Sequence, residues 1–217
     1  MKILVSAGPT REYFDTVRFI TNASSGRMGY AIAREARRRG HEVTLVSGPV
    51  ALKPPRGVTF VPVTTADEMA RACKRAFRQV EAAVMAAAVC DDRPADPSGQ
   101  KVPKRSGRKR VVLEPTEDIA AALGRRKGRR ILIGFAMEDH DGKRHAEAKL
   151  RKKNCDLIVL NSLDSLGGNK TVVAIFSPEY GWSEPMAGTK ATIARRIVQR
   201  IEELAGTKTA MGSTNAS

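Results

Sequence analysis

The chain has 217 residues, 41% of them apolar and only 5% aromatic, with a formal charge of +15 from 38 Lys and Arg against 23 Asp and Glu. That length suits one domain with an aliphatic core; no apolar run reaches the ~18 residues of a membrane span, and the apolar start meets Gly8-Pro9 too soon for a signal peptide. Cys73, Cys90 and Cys155 are far apart and odd in number, which gives neither a metal pattern nor a disulfide framework, so a cytoplasmic setting is expected.

Residues 2–6 read as a buried strand ended by Gly8-Pro9, a turn signal. Met28, Ala31, Ile32 and Ala36 recur at helical spacing, and Gly40 stops that helix. Strands follow at 42–46 and 58–63, then a helix at 66–80 with Met69, Cys73 and Phe77 on one stripe. An apolar strand is expected at 82–88, and further strands at 131–135, 157–160 and 172–176. Helices are expected near 116–123 and 145–153, and a last one at 191–204. The alternation predicts an α/β fold: a doubly wound, mostly parallel, Rossmann-like sheet over residues 1–205, with ligand loops at the carboxyl ends of the strands. Residues 93–110, rich in Pro, Gly, Ser, Lys and Arg, read as a flap inserted between strands. Residues 206–217 are small and polar and are expected to form a disordered tail.

Several loops have the makings of a site, each with a plainer alternative. Asn22 to Gly29 (NASSGRMG) leads into the first helix; amides at a helix start cradle phosphate, but a Ser cap with glycines for close packing explains the same residues. The spacing matches neither a Walker loop nor a dinucleotide fingerprint, and no acid follows the second strand at Val46-Ser47-Gly48 to hold a ribose, which speaks against an NAD-dependent reductase. Asp91 and Asp92 follow an apolar strand, where carboxylates meet ligand or metal or serve a turn. Lys101 on the flap closes over phosphates or is simply solvated. Lys149 and Lys153 stand four apart on one helix face, where an anion between them is favourable and a solvent face is the commoner reason. Phe135 stacks on a base or fills core. A charge of +15 favours anionic partners, but few aromatics and no binding motif make nucleic acid an unpromising one. No nucleophilic triad can be assembled from His41, His140 or His145.

In order and spacing, the segments AGPTRE (7–12), DTVRFITNASSGRMG (15–29), GHEVTLVSGP (40–49), MAAAV (85–89), GFA (134–136) and KLRKKNCD (149–156) resemble the phosphopantothenoylcysteine synthetases of coenzyme A biosynthesis, of bacterial type and without the fused flavin-dependent decarboxylase. The resemblance covers residues 2–204. It implies a single synthetase domain that joins 4′-phosphopantothenate to L-cysteine through an acyl-nucleotide, releasing pyrophosphate and nucleotide monophosphate. CTP is the implied co-substrate, with ATP the eukaryotic alternative and Mg²⁺ the cofactor. By position, Asn22 matches the asparagine that supports the acyl-nucleotide; Ser24, Gly26 and Gly29 match the phosphate-binding turn. Ala87, Ala88 and Asp91 match a loop touching substrate, nucleotide or metal, and Lys101 matches the flap lysine. Asp118, Ile119, Phe135, Lys149 and Lys153 match nucleotide-contacting positions. A homodimer, a cytoplasmic location and a separate decarboxylase partner are implied, with no membrane and no nucleic acid. The sequence departs from the family at Asp91-Asp92-Arg93, at Lys101-Val102-Pro103-Lys104, at Glu117-Asp118-Ile119 and at Gly167-Gly168-Asn169.

Overall fold

The computed structural model describes residues 1–104, 107–108, 110–162 and 170–214; the Gly167-Gly168-Asn169 departure lies outside them. Six parallel strands form the centre of the sheet: β1 (Lys2–Ala7), β4 (Glu42–Ser47), β5 (Thr59–Pro62), β6 (Ala82–Met85), β9 (Ile131–Met137) and β10 (Leu157–Asn161). Their spatial order is β5-β4-β1-β6-β9-β10, so the chain runs outward from β1 in one direction, then returns to start again at β6 beside it. The junction of β1 and β6 is therefore the topological switch point, where a crevice opens at the carboxyl ends. Beyond β10 the sheet turns antiparallel, through β11 (Lys170–Ser177), which pairs with both β12 (Gly181–Trp182) and β13 (Met186–Thr189). The expected doubly wound, mostly parallel sheet is observed.

Helices α1 (Arg27–Arg38) and α5 (Lys190–Thr214) cover one face; α2 (Ala66–Phe77), α3 (Ile119–Gly124) and α4 (Gly142–Lys152) cover the other. Both layers follow from spacing. Met69, Ala70, Cys73 and Phe77 put one stripe of α2 into the core with Leu4 and Leu132. Ile193, Ala194, Ile197, Val198 and Ile201 do the same for α5, against Ile32 and Ala36 of α1. Capping sharpens the starts: Thr65 and Glu68 form a reciprocal capping box on α2, and the Asp118 carboxylate accepts from Ala121 N at 3.0 Å on α3.

The structure corrects several of the expected boundaries: α2 ends at Phe77 rather than 80, and α4 begins at Gly142 rather than 145. The strand expected at 82–88 leaves the ladder after Met85, because Ala87 N donates to Ser6 Oγ (3.2 Å) and Ala88 N to Gly8 O (2.9 Å), which bends residues 86–89 over the end of β1. The third helix begins at Ile119 rather than 116, because residues 113–115 form the short strand β8 (Leu113–Pro115), paired with β7 (Asp92–Pro94). The last helix continues through Thr214 instead of ending near Leu204 in an irregular tail. Its extension is held where Lys208 Nζ reaches Arg130 O at 3.2 Å and Asp156 Oδ1 at 2.8 Å. The flap lies between β7 and β8, and a second small hairpin, β2 (Arg11–Tyr13) with β3 (Phe19–Thr21), stands beside it.

Candidate active site

A cavity of about 580 Å³ opens at the switch point, lined by the loop before α1, residues 85–89, Asp91, residues 116–120, the end of β9, Asn161, and the side chains of Lys149, Lys153 and Lys190. That volume suits a nucleotide-sized ligand. The fold brings Asn22, Ser24, Gly26, Gly29, Ala87, Ala88, Asp91, Asp118, Ile119, Phe135, Lys149 and Lys153 to this one space. Lys101 is the exception: it is exposed and does not line the cavity.

Asn22 stands at the mouth. Its Nδ2 donates to Ala88 O at 3.2 Å and to Val89 O at 2.9 Å. Two carbonyl acceptors fix the amide orientation, leaving Oδ1 as the acceptor turned away from them. The loop then tightens: Ser24 N donates to Asn22 O at 2.8 Å, and Gly26 N to Ser24 Oγ at 3.3 Å. Gly26 has φ 71°, and no side chain caps the helix behind it, so a ligand at this end would meet the amides of Met28 and Gly29. Gly29 plays a different part. A Cβ there would meet the Ala7 Cβ at 2.6 Å, so its missing side chain lets α1 lie close on β1. The packing part of the plainer reading therefore holds at Gly29, while the serine cap it expected is absent.

The far wall carries cations matched to acids. Lys149 pairs with Glu138, which also lies 3.5 Å from His145 Nδ1. Lys153 Nζ sits 3.2 Å from Asp118 Oδ2. Phe135, on β9 between these pairs and the switch point, is half-buried; it packs against the core and also lines the cavity. Asp91 is exposed, and no hydrogen bond or ion pair engages its carboxylate among the described residues. Asp92 is exposed at the start of β7, while Arg93 bridges Asp67 at 2.5 Å and Glu114 at 2.8 Å. Burial raises all three thiols above their ordinary range, with Cys73 and Cys155 pushed up to about 12.

The flap is anchored even though Lys101 is outside. Arg18 donates to Val102 O at 2.8 Å, and Val102 N to Asp15 Oδ2 at 3.2 Å. Asp15 is almost fully buried, and the Arg18 guanidinium, aided by the amides of Val17, Arg18 and Val102, holds its carboxyl well below the usual range. Arg27, Lys190 and Asn161 line the cavity without having been singled out in the sequence, and Glu138 stands behind Lys149 as its ion-pair partner. Lys190 and Asn161 are remote in the chain, and Glu138 differs from other acids only by its place in a fold.

A model of the DNA/pantothenate metabolism flavoprotein C-terminal domain matches residues 1–204. A cysteine/cysteine sulfinic acid decarboxylase from an unknown prokaryotic organism is 43% identical over 206 residues, 92% of this chain and 57% of that protein. The coenzyme A biosynthesis bifunctional protein CoaBC of Bacillus subtilis is 38% identical over 207 residues, 93% of this chain and 51% of that one. The chain thus spans about half the length of the curated relatives it matches. The crystal structure of the C-terminal domain of a CoaBC protein superposes with a TM-score of 0.81 at 40% identity, covering 95% of this chain and 96% of that domain. A Cab2 mutant in complex with phosphopantothenate-cysteine shares the fold, with a TM-score of 0.80 at 17% identity over 96% of this chain and 88% of that one. With the matched residues running through both sheet layers and the cavity, the chain belongs to the DNA/pantothenate metabolism flavoprotein C-terminal domain family.

Proposed function

We propose that this chain is a phosphopantothenate–cysteine ligase of coenzyme A biosynthesis, joining 4′-phosphopantothenate to L-cysteine at the expense of a nucleoside triphosphate, CTP in preference to ATP. The observation that carries the reading is the single cavity in which the Asn22–Gly29 loop faces Asp91, Phe135, Lys149 and Lys153. The names of the relatives, CoaBC and the phosphopantothenate-cysteine complex, support it.

In this reading the nucleotide base lies against Phe135, where paired lysines and carboxylates offer both donors and acceptors to a base edge. The triphosphate lies toward the N-terminus of α1. The pantothenate carboxylate attacks the α-phosphorus; a P–O bond forms, the bond to the β-phosphate oxygen breaks, and pyrophosphate leaves. The cysteine amine then attacks the acyl carbon, loses a proton, and displaces the nucleotide monophosphate. Asn22 Oδ1 accepts a hydrogen bond from the reacting group, and the amides of α1 stabilise phosphate charge. Such catalysis is chiefly positioning and electrostatics.

A divalent ion fits this arrangement. The described residues contain no group of three metal-ligating side chains, but an ion carried by phosphates needs only one or two carboxylates. Asp91 would hold Mg²⁺ from the protein side, and the ion would supply charge neutralisation on the phosphates.

A homodimer is part of the same proposal. Val17 and Ile20 on the β2–β3 hairpin, and Val111, Val112 and Leu113 beside the flap, are large apolar side chains left exposed; a second copy would cover them and bring Lys101 of one flap toward a cavity. The product keeps the carboxyl group of cysteine, which makes it a substrate for a decarboxylase on a separate chain, the partner that belongs to this reading. The reading puts both reactions in the cytoplasm, where the nucleotide and cysteine are kept.

The test is pyrophosphate release from purified protein with 4′-phosphopantothenate, Mg²⁺ and CTP or ATP, with and without cysteine. Release that requires phosphopantothenate and is faster with CTP supports the proposal. A preference for ATP overturns the nucleotide assignment, and no release with either overturns the ligase.

A further inference from the structure

We infer that Thr116 is a positioning residue for Asp91: from the return side of the flap hairpin it grips the carbonyl before Asp91 and that of Asp91 itself, and so sets where the carboxylate stands at the cavity. This rests on the reading of the cavity as the ligase site, in which Asp91 meets the ligand.

Asp91 lines the cavity, yet it is exposed, and its carboxylate has no hydrogen-bond or ion-pair partner among the described residues. An acid without a side-chain partner moves with its backbone, so whatever holds that backbone decides where the charge stands. Thr116 holds it twice. Its Oγ1 donates to Cys90 O at 2.5 Å, and its N donates to Asp91 O at 2.8 Å. Cys90 is held from the other side as well, where its N donates to Oγ1 of the fully buried Thr10 at 2.9 Å. Cys90 is thus fixed between two threonine hydroxyls, and Asp91 follows it directly.

Thr116 is itself tied to the body of the fold. In the antiparallel pair of β7 and β8, Arg93 lies opposite Glu114 and Asp92 opposite Pro115, so Thr116 falls on the next rung, opposite Asp91. At the other end of this stem Ala95 N donates to Val112 O at 3.0 Å, and the flap lies beyond. Arg93 fastens the stem to Asp67 of α2, Lys74 of α2 reaches Glu117 at 2.5 Å, and Asp118 caps α3. Anchors therefore stand on both sides of Thr116. Its hydroxyl hydrogen is spent on Cys90 O, so its donor does not serve a ligand and its influence passes through Asp91.

Thr116→Val, which keeps the shape and the backbone amide but loses the hydroxyl, would be compared with Thr116→Ala, Thr116→Ser, Asp91→Asn and the Thr116→Val/Asp91→Asn double variant. Each would be titrated by calorimetry with CTP in Mg²⁺ and with 4′-phosphopantothenate, beside a thermal melt. Thr116→Val and Thr116→Ala are expected to weaken the ligand that Asp91→Asn weakens by about three- to ten-fold, the range of one hydrogen bond, with Thr116→Ser restoring it. In the Asp91→Asn background the valine is expected to add less than about two-fold, because its effect passes through a carboxylate already removed. Equal effects in the two backgrounds, or unchanged dissociation constants in folded Thr116→Val or Thr116→Ala, overturn the inference, as does an Asp91→Asn protein that binds both ligands like wild type. A purely structural role would lower the melting temperature without this dependence on Asp91. Because binding needs no turnover, a protein that shows the coupling but releases no pyrophosphate refutes the ligase and leaves Thr116 in its place; pyrophosphate release without the coupling does the reverse, and a wild-type protein that binds neither ligand overturns both.

Discussion

The Glu138 carboxylate closes an ion pair with Lys149 Nζ across the turn from β9 to α4, and His145 Nδ1 approaches the same carboxylate at 3.5 Å. Glu138 stays largely buried while Lys149 is partly exposed toward the cavity. The acid is thus a positioning residue: it holds the lysine at the wall instead of letting it extend into solvent. Glu138→Gln should raise KM for the nucleotide about three- to ten-fold with little change in kcat, the range of a partly exposed ion pair. Glu138→Asp should fall between it and wild type. Steady-state kinetics with saturating phosphopantothenate would measure the split, and an equal fall in kcat would contradict the positioning role.

Asn22 spends its amide hydrogens on Ala88 O and Val89 O, so removing the side chain costs two surface hydrogen bonds and one acceptor at the mouth. Asn22→Ala should keep the wild-type melting temperature within a few degrees yet slow pyrophosphate release or product formation on the order of 100-fold, as loss of one preorganised polar group does elsewhere. Turnover near wild type would remove Asn22 from the chemistry.

Gly29 is predicted to be structural. A methyl group would come within 2.6 Å of the Ala7 Cβ and 3.0 Å of Ser6 O, and neither atom belongs to a flexible side chain. Gly29→Ala should destabilise the fold by about 1–3 kcal/mol, as overpacking does. Urea denaturation would show it as a lower midpoint at unchanged slope.

Glu35 lies under Arg38 and Arg39, with Arg39 also reaching Glu202 at 2.5 Å and His41 Nε2 lying 2.9 Å from the same Glu202. Hydrogen bonding from Arg38 first, opposed by burial and aided by Arg39, lowers the Glu35 carboxyl to about 2. A folded-state value below the unfolded one stabilises the protein above the unfolded value, near 4.3. That stability is lost as pH falls from there toward about 2. Since Arg38 is well exposed, the amount is about 1–2 kcal/mol. Glu35→Gln should lower stability at neutral pH and flatten its dependence between these limits, as followed by thermal melts across acidic buffers.

Much of this was legible in the chain itself. Residues 2–6 announce a strand because a short apolar run ended by Gly8-Pro9 suits a sheet buried on both faces. Met69, Cys73 and Phe77 announce α2 because three- and four-residue steps return to one side of a helix. The pairs β2–β3 and β7–β8 were not legible, because strands of three residues carry too little pattern to show a period. The end of α5 was missed because Gly206 and Thr207 are weak helix formers, and what carries the helix past them is a contact from Lys208 to Arg130 and Asp156.

The sequence by itself determined the alternation of strands and helices, the mostly parallel sheet, and the ordered motifs that mark the family. Each of these is written locally, in side-chain period, turn residues and spacing. Only the tertiary structure decided that Lys190 and Arg27 share one end of the cavity, that Lys149 and Lys153 are each matched to an acid, that Gly29 serves packing, and that Lys101 stands outside. Those relationships depend on which helix lies against which and on where strand order reverses, and such distances are decided by burial of remote apolar faces rather than by neighbours in the chain.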